Sequence, residues 1–113
     1  MHRVRIDRSA SIATIVAGGE LDAYGAPELS EAFSQLAQDP RVVVDLGAVS
    51  FLDSTALGVV VRSVRAIAER GDDSRVILPR GTARRIFEIT TLDRVLPVVE
   101  SRAQALAALT ATE

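Results

Sequence analysis

Three consecutive polar residues, Asp53, Ser54 and Thr55, follow an apolar stretch and precede an amphipathic segment. A serine hydroxyl can accept a phosphate from a protein kinase when it lies on an accessible loop. A phosphate on Ser54 would face the free amides and positive dipole end of the following helix, so the fold could tolerate it. The added charge, about −1.5 to −2, would lie beside the carboxylate of Asp53 and repel a docked partner. We therefore predict a phosphorylation switch at Ser54.

Helix capping is a simpler explanation for the same three residues. A short side-chain oxygen accepts hydrogen bonds from the unpaired amides of a first helical turn, and Asp, Ser and Thr are all favoured at that position. One such oxygen would be sufficient, whereas this sequence has three in a row. The two interpretations differ on whether the Ser54 hydroxyl is needed for the fold.

Composition argues against catalysis. The chain has no cysteine and no lysine, and its only histidine is His2, which we expect to be solvated near the amino terminus. The usual general acids, general bases and nucleophiles are therefore absent, and a carboxylate alone activates an adjacent serine poorly. We expect no enzyme, no catalytic residue, no metal site and no cofactor.

Charge and hydropathy limit the partners. A net charge of −2 and a pI near 5.4 provide no basic footprint, so we expect neither nucleic acid nor a membrane surface as a partner. The uncharged run over residues 9–19 is too short to span a bilayer, which takes ~20 residues. Without a signal-peptide layout, we expect one cytoplasmic domain over residues 1–113.

Hydrophobic periodicity predicts an α/β domain with the element order ββαβαβαβα. Consecutive valines in the third strand favour a central strand of a mainly parallel sheet, and the first two strands form an antiparallel hairpin. After a first strand around Val4 and Ile6, the predicted strands are residues 11–18, 41–46, 74–78 and 95–99. The predicted helices are residues 26–38, a long helix after Thr55 that closes at Gly71, 83–89 and 102–109, and a short loop is expected between Leu46 and Asp53. Thr82 is a candidate cap of the third helix, and residues 101–104 match a capping box before the fourth. Pro97 favours an edge position for the last strand. The long helix is expected to bury Leu57, Val60, Val61, Val64, Ile67 and Ala68.

Residues 50–61, SFLDSTALGVVV, resemble the signature of the STAS domain family, specifically the anti-sigma factor antagonists of bacterial partner-switching pathways. The likeness extends to residues 19–27 at the first strand-to-helix junction and to residues 85–92 in the late helix. It implies a STAS-like fold and identifies Ser54, directly after the aspartate, as the phosphoacceptor in preference to Thr55. Ala56 and Thr91 depart from the family pattern, in which glycine is common at both positions.

The resemblance also implies a mechanism. The unphosphorylated protein would bind an anti-sigma factor with serine kinase activity and release a sigma factor, and phosphorylation at Ser54 would abolish that binding. A serine phosphatase would reset the switch, and ATP and magnesium would belong to the kinase. Asp22, Tyr24, Asp53 and Thr55 are the expected partner-binding residues. From the residues alone, Asp22 is also a turn or cap residue, and Tyr24 is either an exposed contact or part of the core.

One other function and two other features of the sequence are considered beside this mechanism. The chain could be a STAS-type scaffold or a transporter-associated subunit that does not use phosphorylation. Asp45, at the end of a strand, is reminiscent of phospho-receiver domains, but those need a lysine that this chain lacks, so Asp45 is expected to satisfy loop amides. A basic cluster of Arg80, Arg84 and Arg85 is either a solvated face or a surface that attracts acidic groups.

Overall fold

The computed structural model describes residues 1–9 and 11–110, in which five strands form one sheet and four α-helices pack on its faces. The strands are β1 (His2–Ser9), β2 (Ile12–Leu21), β3 (Arg41–Leu52), β4 (Asp73–Ile77) and β5 (Val98–Val99). The helices are α1 (Ala26–Gln35), α2 (Ser54–Glu69), α3 (Thr82–Ile89) and α4 (Arg102–Thr110), with a short 3₁₀ turn at Leu92–Arg94. The predicted α/β class and element order are confirmed.

The sheet has the strand order β1-β2-β3-β4-β5. The β1 strand is antiparallel to β2, whereas β2, β3, β4 and β5 are parallel to one another. The carboxyl ends of β2, β3 and β4 therefore lie at the same edge, where ligands and partners bind in sheets of this type. The short β5 is an edge strand, as Pro97 in the sequence indicated.

Apolar side chains bury both faces of the sheet. Val42 and Val44 face one large core shared with α1, α2 and α3, whereas Val43 faces a smaller cluster with Ala105 and Leu109 of α4. The alternation of consecutive valines between two cores explains why this strand lacks a polar face. It also confirms the predicted central position of β3.

The β3 strand is twice the predicted length, and the short loop expected after Leu46 does not exist. Residues 47–52 continue to pair with β2, with register irregularities between Val16 and Gly18 and between Gly19 and Glu20. Each irregularity adds one residue to β3 without adding one to β2. Such bulges depend on the facing strand, so local apolar periodicity did not reveal them.

The buried stripe of α2 is rotated from the predicted one. Val60, Val64 and Ile67 are buried as expected, but Ala56 and Val59 are buried too, Leu57 and Val61 are only half-buried, and Ala68 is exposed. The helix ends at Glu69, with Arg70 as its C-cap, and Gly71 follows with a φ of +87°, the left-handed conformation predicted for it.

Several other boundaries differ from the sequence prediction. The α1 helix stops at Gln35, and Arg70 donates hydrogen bonds to the backbone oxygens of Leu36 and Asp39 just beyond it. The fifth strand is shorter than 95–99, because the 3₁₀ turn and buried Leu96 precede it. Thr82 does not cap α3, which begins after Gly81 without a side-chain cap.

His2 is not a solvated residue. Its Nε2 lies 2.8 Å from a carboxylate oxygen of Glu28 on α1, and its ring lies against Gly25. The prediction was wrong because the hairpin with β2 carries the amino-terminal strand alongside α1, a long-range neighbour that proximity to the chain end does not indicate.

Candidate functional site

Asp53 joins the end of β3 to the start of α2. Its backbone is extended (φ −88°, ψ 177°), and its carboxylate accepts a hydrogen bond from the amide of Ala56 at 3.0 Å. Its backbone oxygen accepts from Leu57 at 2.9 Å, and its amide donates to the backbone oxygen of Leu21 at 3.0 Å. Asp53 therefore caps the helix and fixes the helix start against the end of β2.

Ser54 and Thr55 form the first turn of α2 and are exposed. Within residues 1–9 and 11–110, neither hydroxyl forms a hydrogen bond, because Asp53 already provides the cap. The capping explanation thus accounts for Asp53 and leaves both hydroxyls unused by the fold. Ser54 is positioned where an incoming enzyme could reach its oxygen.

Asp22 lies next to this helix start. It follows β2 directly, and Leu21 pairs with Leu52 at the end of β3. The Asp22 carboxylate accepts hydrogen bonds from the amides of Tyr24 at 2.9 Å and Gly25 at 3.3 Å. This geometry is that of a turn residue that leads into α1, so Asp22 shapes the turn that presents Tyr24.

Two aromatic side chains near these turns are exposed. Tyr24 is 87% exposed, so of its two alternatives the structure excludes the core, and Phe51 is 45% exposed. Sequence reasoning missed Phe51, because alternation from Val49 would place it in the core. The second irregularity lies between the pairs Gly19–Val49 and Glu20–Phe51, and it buries Leu52 in place of Phe51.

These residues define what we call the carboxyl-edge surface: Asp22, Tyr24, Phe51, Asp53, Ser54 and Thr55. It combines two large exposed aromatic groups, which are typical anchors of protein interfaces, with an unpaired serine hydroxyl. Asp45 is outside it: its carboxylate accepts a hydrogen bond from the amide of Gly47 at 2.9 Å, as predicted for a residue that satisfies loop amides.

The described part of the chain contains no candidate metal site. In residues 1–9 and 11–110 no three His, Cys, Asp or Glu side chains are grouped so that they could hold a metal ion. Of the helices described, none has the length and apolarity that crossing a membrane requires.

Because Asp53 caps α2 and the Ser54 hydroxyl forms no hydrogen bond, alanine substitutions at the two positions should affect stability unequally. Replacement of Asp53 by Ala should lower the free energy of unfolding by about 1 kcal/mol, because the Ala56 amide loses its acceptor. Replacement of Ser54 by Ala should change it by less than about 0.5 kcal/mol, as for other exposed positions. Urea unfolding of the two variants checks this, and equal losses would show that the Ser54 hydroxyl is structural.

The chain is similar in sequence to proteins of one known family. The family model of the STAS domain matches residues 3–105. An anti-sigma-B factor antagonist of Staphylococcus aureus is 36% identical over 85 residues, which cover 74% of this chain and 79% of the relative.

Solved structures share the fold. An anti-sigma factor antagonist from Mycobacterium paratuberculosis superposes with a TM-score of 0.85 and 25% identity, over 96% of this chain and 94% of that one. The Bacillus cell fate determinant SpoIIAA in its phosphorylated form has a TM-score of 0.74 at 16% identity, over 98% of this chain and 100% of that one, a likeness of fold alone.

Proposed function

The chain belongs to the STAS domain family, and from that premise we propose that it is an anti-sigma factor antagonist controlled by phosphorylation of Ser54. In its unphosphorylated form it binds an anti-sigma factor that is also a serine kinase, and the bound sigma factor is released. The kinase then modifies Ser54 and the complex dissociates. A serine phosphatase restores the binding form, and these exchanges take place in the cytoplasm.

The observation that carries this proposal is the unused hydroxyl of Ser54. It is exposed at the first position of α2, and Asp53 alone caps the helix. A serine that the fold does not need can gain a phosphate without loss of a structural hydrogen bond. The relative in Staphylococcus aureus, named an anti-sigma-B factor antagonist, supports the assignment of function.

The start of α2 can accept the phosphate electrostatically. Asp53 takes the amides of Ala56 and Leu57, and in the described part of the chain the amides of Ser54 and Thr55 have no acceptor. These amides and the helix dipole favour a dianion at this position. The fold therefore tolerates the phosphate, and the change in free energy falls on the partner complex.

The remaining residues of the carboxyl-edge surface have different roles in partner binding. Asp22 uses its carboxylate to hold the turn, so it acts as a positioning residue for Tyr24. Tyr24, Phe51 and Thr55 are exposed and provide the contact area. Asp53 supplies the negative charge that becomes unfavourable in the interface once a phosphate is added beside it.

Phosphorylation by the cognate kinase tests the function directly. The partner is identified as a protein that copurifies from cell extract without ATP and dissociates when ATP is added. Incubation with that kinase, ATP and magnesium should add one phosphate, located at Ser54 by peptide mass spectrometry, and Ser54→Ala should abolish it.

Other outcomes of this experiment are informative. Phosphate on Thr55 would move the switch by one residue. Copurification of scaffold or transporter subunits, with no phosphate incorporated, would contradict the proposal and favour a STAS subunit that does not use this modification.

A further inference from the structure

A cleft of about 700 Å³ lies at the carboxyl ends of β4 and β5, and its lining includes no residue of the carboxyl-edge surface. Its lining consists of Arg80, Gly81, Thr82, Arg84, Arg85, Glu88 and Glu100. Because α3 begins here and Glu100 directly follows β5, the cleft is at the edge of the sheet where ligands bind in parallel α/β proteins. The sequence marked the arginines as a cluster, and the structure shows that they surround a cavity.

The guanidinium groups in the cleft are not neutralised by ion pairs. Arg80, Arg84 and Arg85 have no carboxylate within 4 Å in residues 1–9 and 11–110, although Glu88 and Glu100 line the same cleft. Three guanidinium groups and two carboxylates leave one net positive charge. The planar guanidinium group forms bidentate hydrogen bonds with phosphate and carboxylate, and phosphate offers more oxygens to several arginines at once.

Arg84 is held in place but incompletely satisfied. Its Nη1 donates a hydrogen bond to the backbone oxygen of Leu78 at 2.9 Å, whereas its Nε is buried and has no acceptor within the described residues. A buried donor without an acceptor is costly, so a shift of the Arg84 side chain that brought Nε to a ligand oxygen would be favourable.

The backbone at the start of α3 adds to this environment. The helix has no side-chain cap, and Gly81 before it has a φ of +149° and no neighbouring atom within 4 Å of the position that a Cβ would take. The amides of the first turn therefore have no side-chain acceptor in the described part of the chain. The cleft thus offers guanidinium and backbone donors to the same ligand.

We propose that this cleft binds a phosphate group, either free or carried by a small phosphomonoester. The arginines supply charge-assisted hydrogen bonds, and the two glutamates limit the affinity. This site shares no residue with the carboxyl-edge surface, so its test does not depend on an anti-sigma factor.

The test is a titration of the ¹⁵N-labelled full chain with inorganic phosphate, phenyl phosphate and acetate at constant ionic strength, followed by amide chemical shifts. Phosphate should produce saturable shifts centred on residues 80–85, and acetate should bind more weakly. Tighter binding of phenyl phosphate than of inorganic phosphate would identify an ester as the ligand, and the reverse order would identify free phosphate.

Variants that change the charge of the cleft distinguish a specific phosphate site from nonspecific electrostatic attraction of phosphate to arginines. Arg85→Ala should weaken phosphate binding by about tenfold, since Arg85 is exposed and its removal should leave the fold intact. Glu100→Gln should tighten binding by about threefold, because it removes a repulsive charge. The matched control Arg65→Ala, an exposed arginine on α2 outside the cleft, should leave the dissociation constant within about twofold.

The proposal would be overturned by shifts spread over all the arginines, by equal losses in Arg85→Ala and Arg65→Ala, or by acetate binding as tightly as phosphate. Titration of the Ser54→Asp variant with phosphate tests whether the cleft binds phosphate independently of the proposed switch. An unchanged phosphate affinity in that variant supports a site independent of the switch, and loss of binding there would contradict it.

Discussion

Ser54→Asp should bind the cognate anti-sigma factor about 10- to 100-fold more weakly than the wild-type protein, a loss of about 1.4–2.8 kcal/mol. The substitution places a carboxylate beside that of Asp53 at the start of α2. Like charges brought together in a desolvated interface are strongly unfavourable. Aspartate carries one charge and a phosphoserine carries nearly two, so the phosphorylated protein should bind more weakly still.

Two further variants at the same position separate charge from size. Ser54→Asn is nearly isosteric with Ser54→Asp but neutral, so it should retain the partner affinity within about threefold, or less than about 1 kcal/mol. Ser54→Ala should bind like the wild type and remain bound in the presence of ATP. Calorimetric titration of the four proteins measures these affinities, and an equally weak Ser54→Asn would show that packing, rather than charge, controls the interface.

Alanine substitution of two phenylalanines should change the free energy of unfolding by very different amounts. Phe87 is fully buried between α3 and the large core, so Phe87→Ala should lower the free energy of unfolding by about 3–5 kcal/mol. Domains of this size are stable by about 5–15 kcal/mol, so this loss is a large part of the total. Phe51→Ala, at a 45% exposed side chain, should change stability by less than about 1 kcal/mol.

The binding effect of Phe51→Ala should be large despite its small effect on folding. If Phe51 is an aromatic anchor of the carboxyl-edge surface, its truncation should cost about 2 kcal/mol of binding free energy, or roughly 30-fold in affinity. Urea unfolding and calorimetric titration of the folded protein measure the two quantities separately. Unchanged affinity in Phe51→Ala would remove this residue from the partner surface.

Much of the architecture could be predicted because it follows from local rules. Consecutive valines over residues 42–44 indicated a strand buried on both faces, and the structure places them between two cores. Gly71 indicated the end of α2, and it has the positive φ that the cap requires. The side chain of Ser101 accepts a hydrogen bond from the amide of Gln104 at 3.2 Å, as the capping pattern predicted for α4.

Contacts between elements that are distant along the chain could not be predicted in this way. The Arg84 Nε and the cleft around it arise where the ends of β4 and β5 approach α3, three elements that are separate in the sequence. Similarly, His2 contacts Glu28 through the hairpin that brings β1 to α1. In each case the partner is distant along the chain, so no local pattern contains the contact.

The sequence by itself determined that a helix begins at Asp53, Ser54 and Thr55 after a central strand, because capping preference and hydrophobic periodicity are local properties. Only the tertiary structure decided which of the three is the cap and which side chains surround them. Pairing with β2 extends β3 to Leu52. The first extra residue in β3 shifts the buried position from the series Val42, Val44, Leu46 to Val49, and the second shifts it again, so Leu52 is buried and Phe51 is exposed. The physical reason is that a strand's register is set by hydrogen bonds to its neighbour, whereas alternation along one strand cannot show where that register shifts.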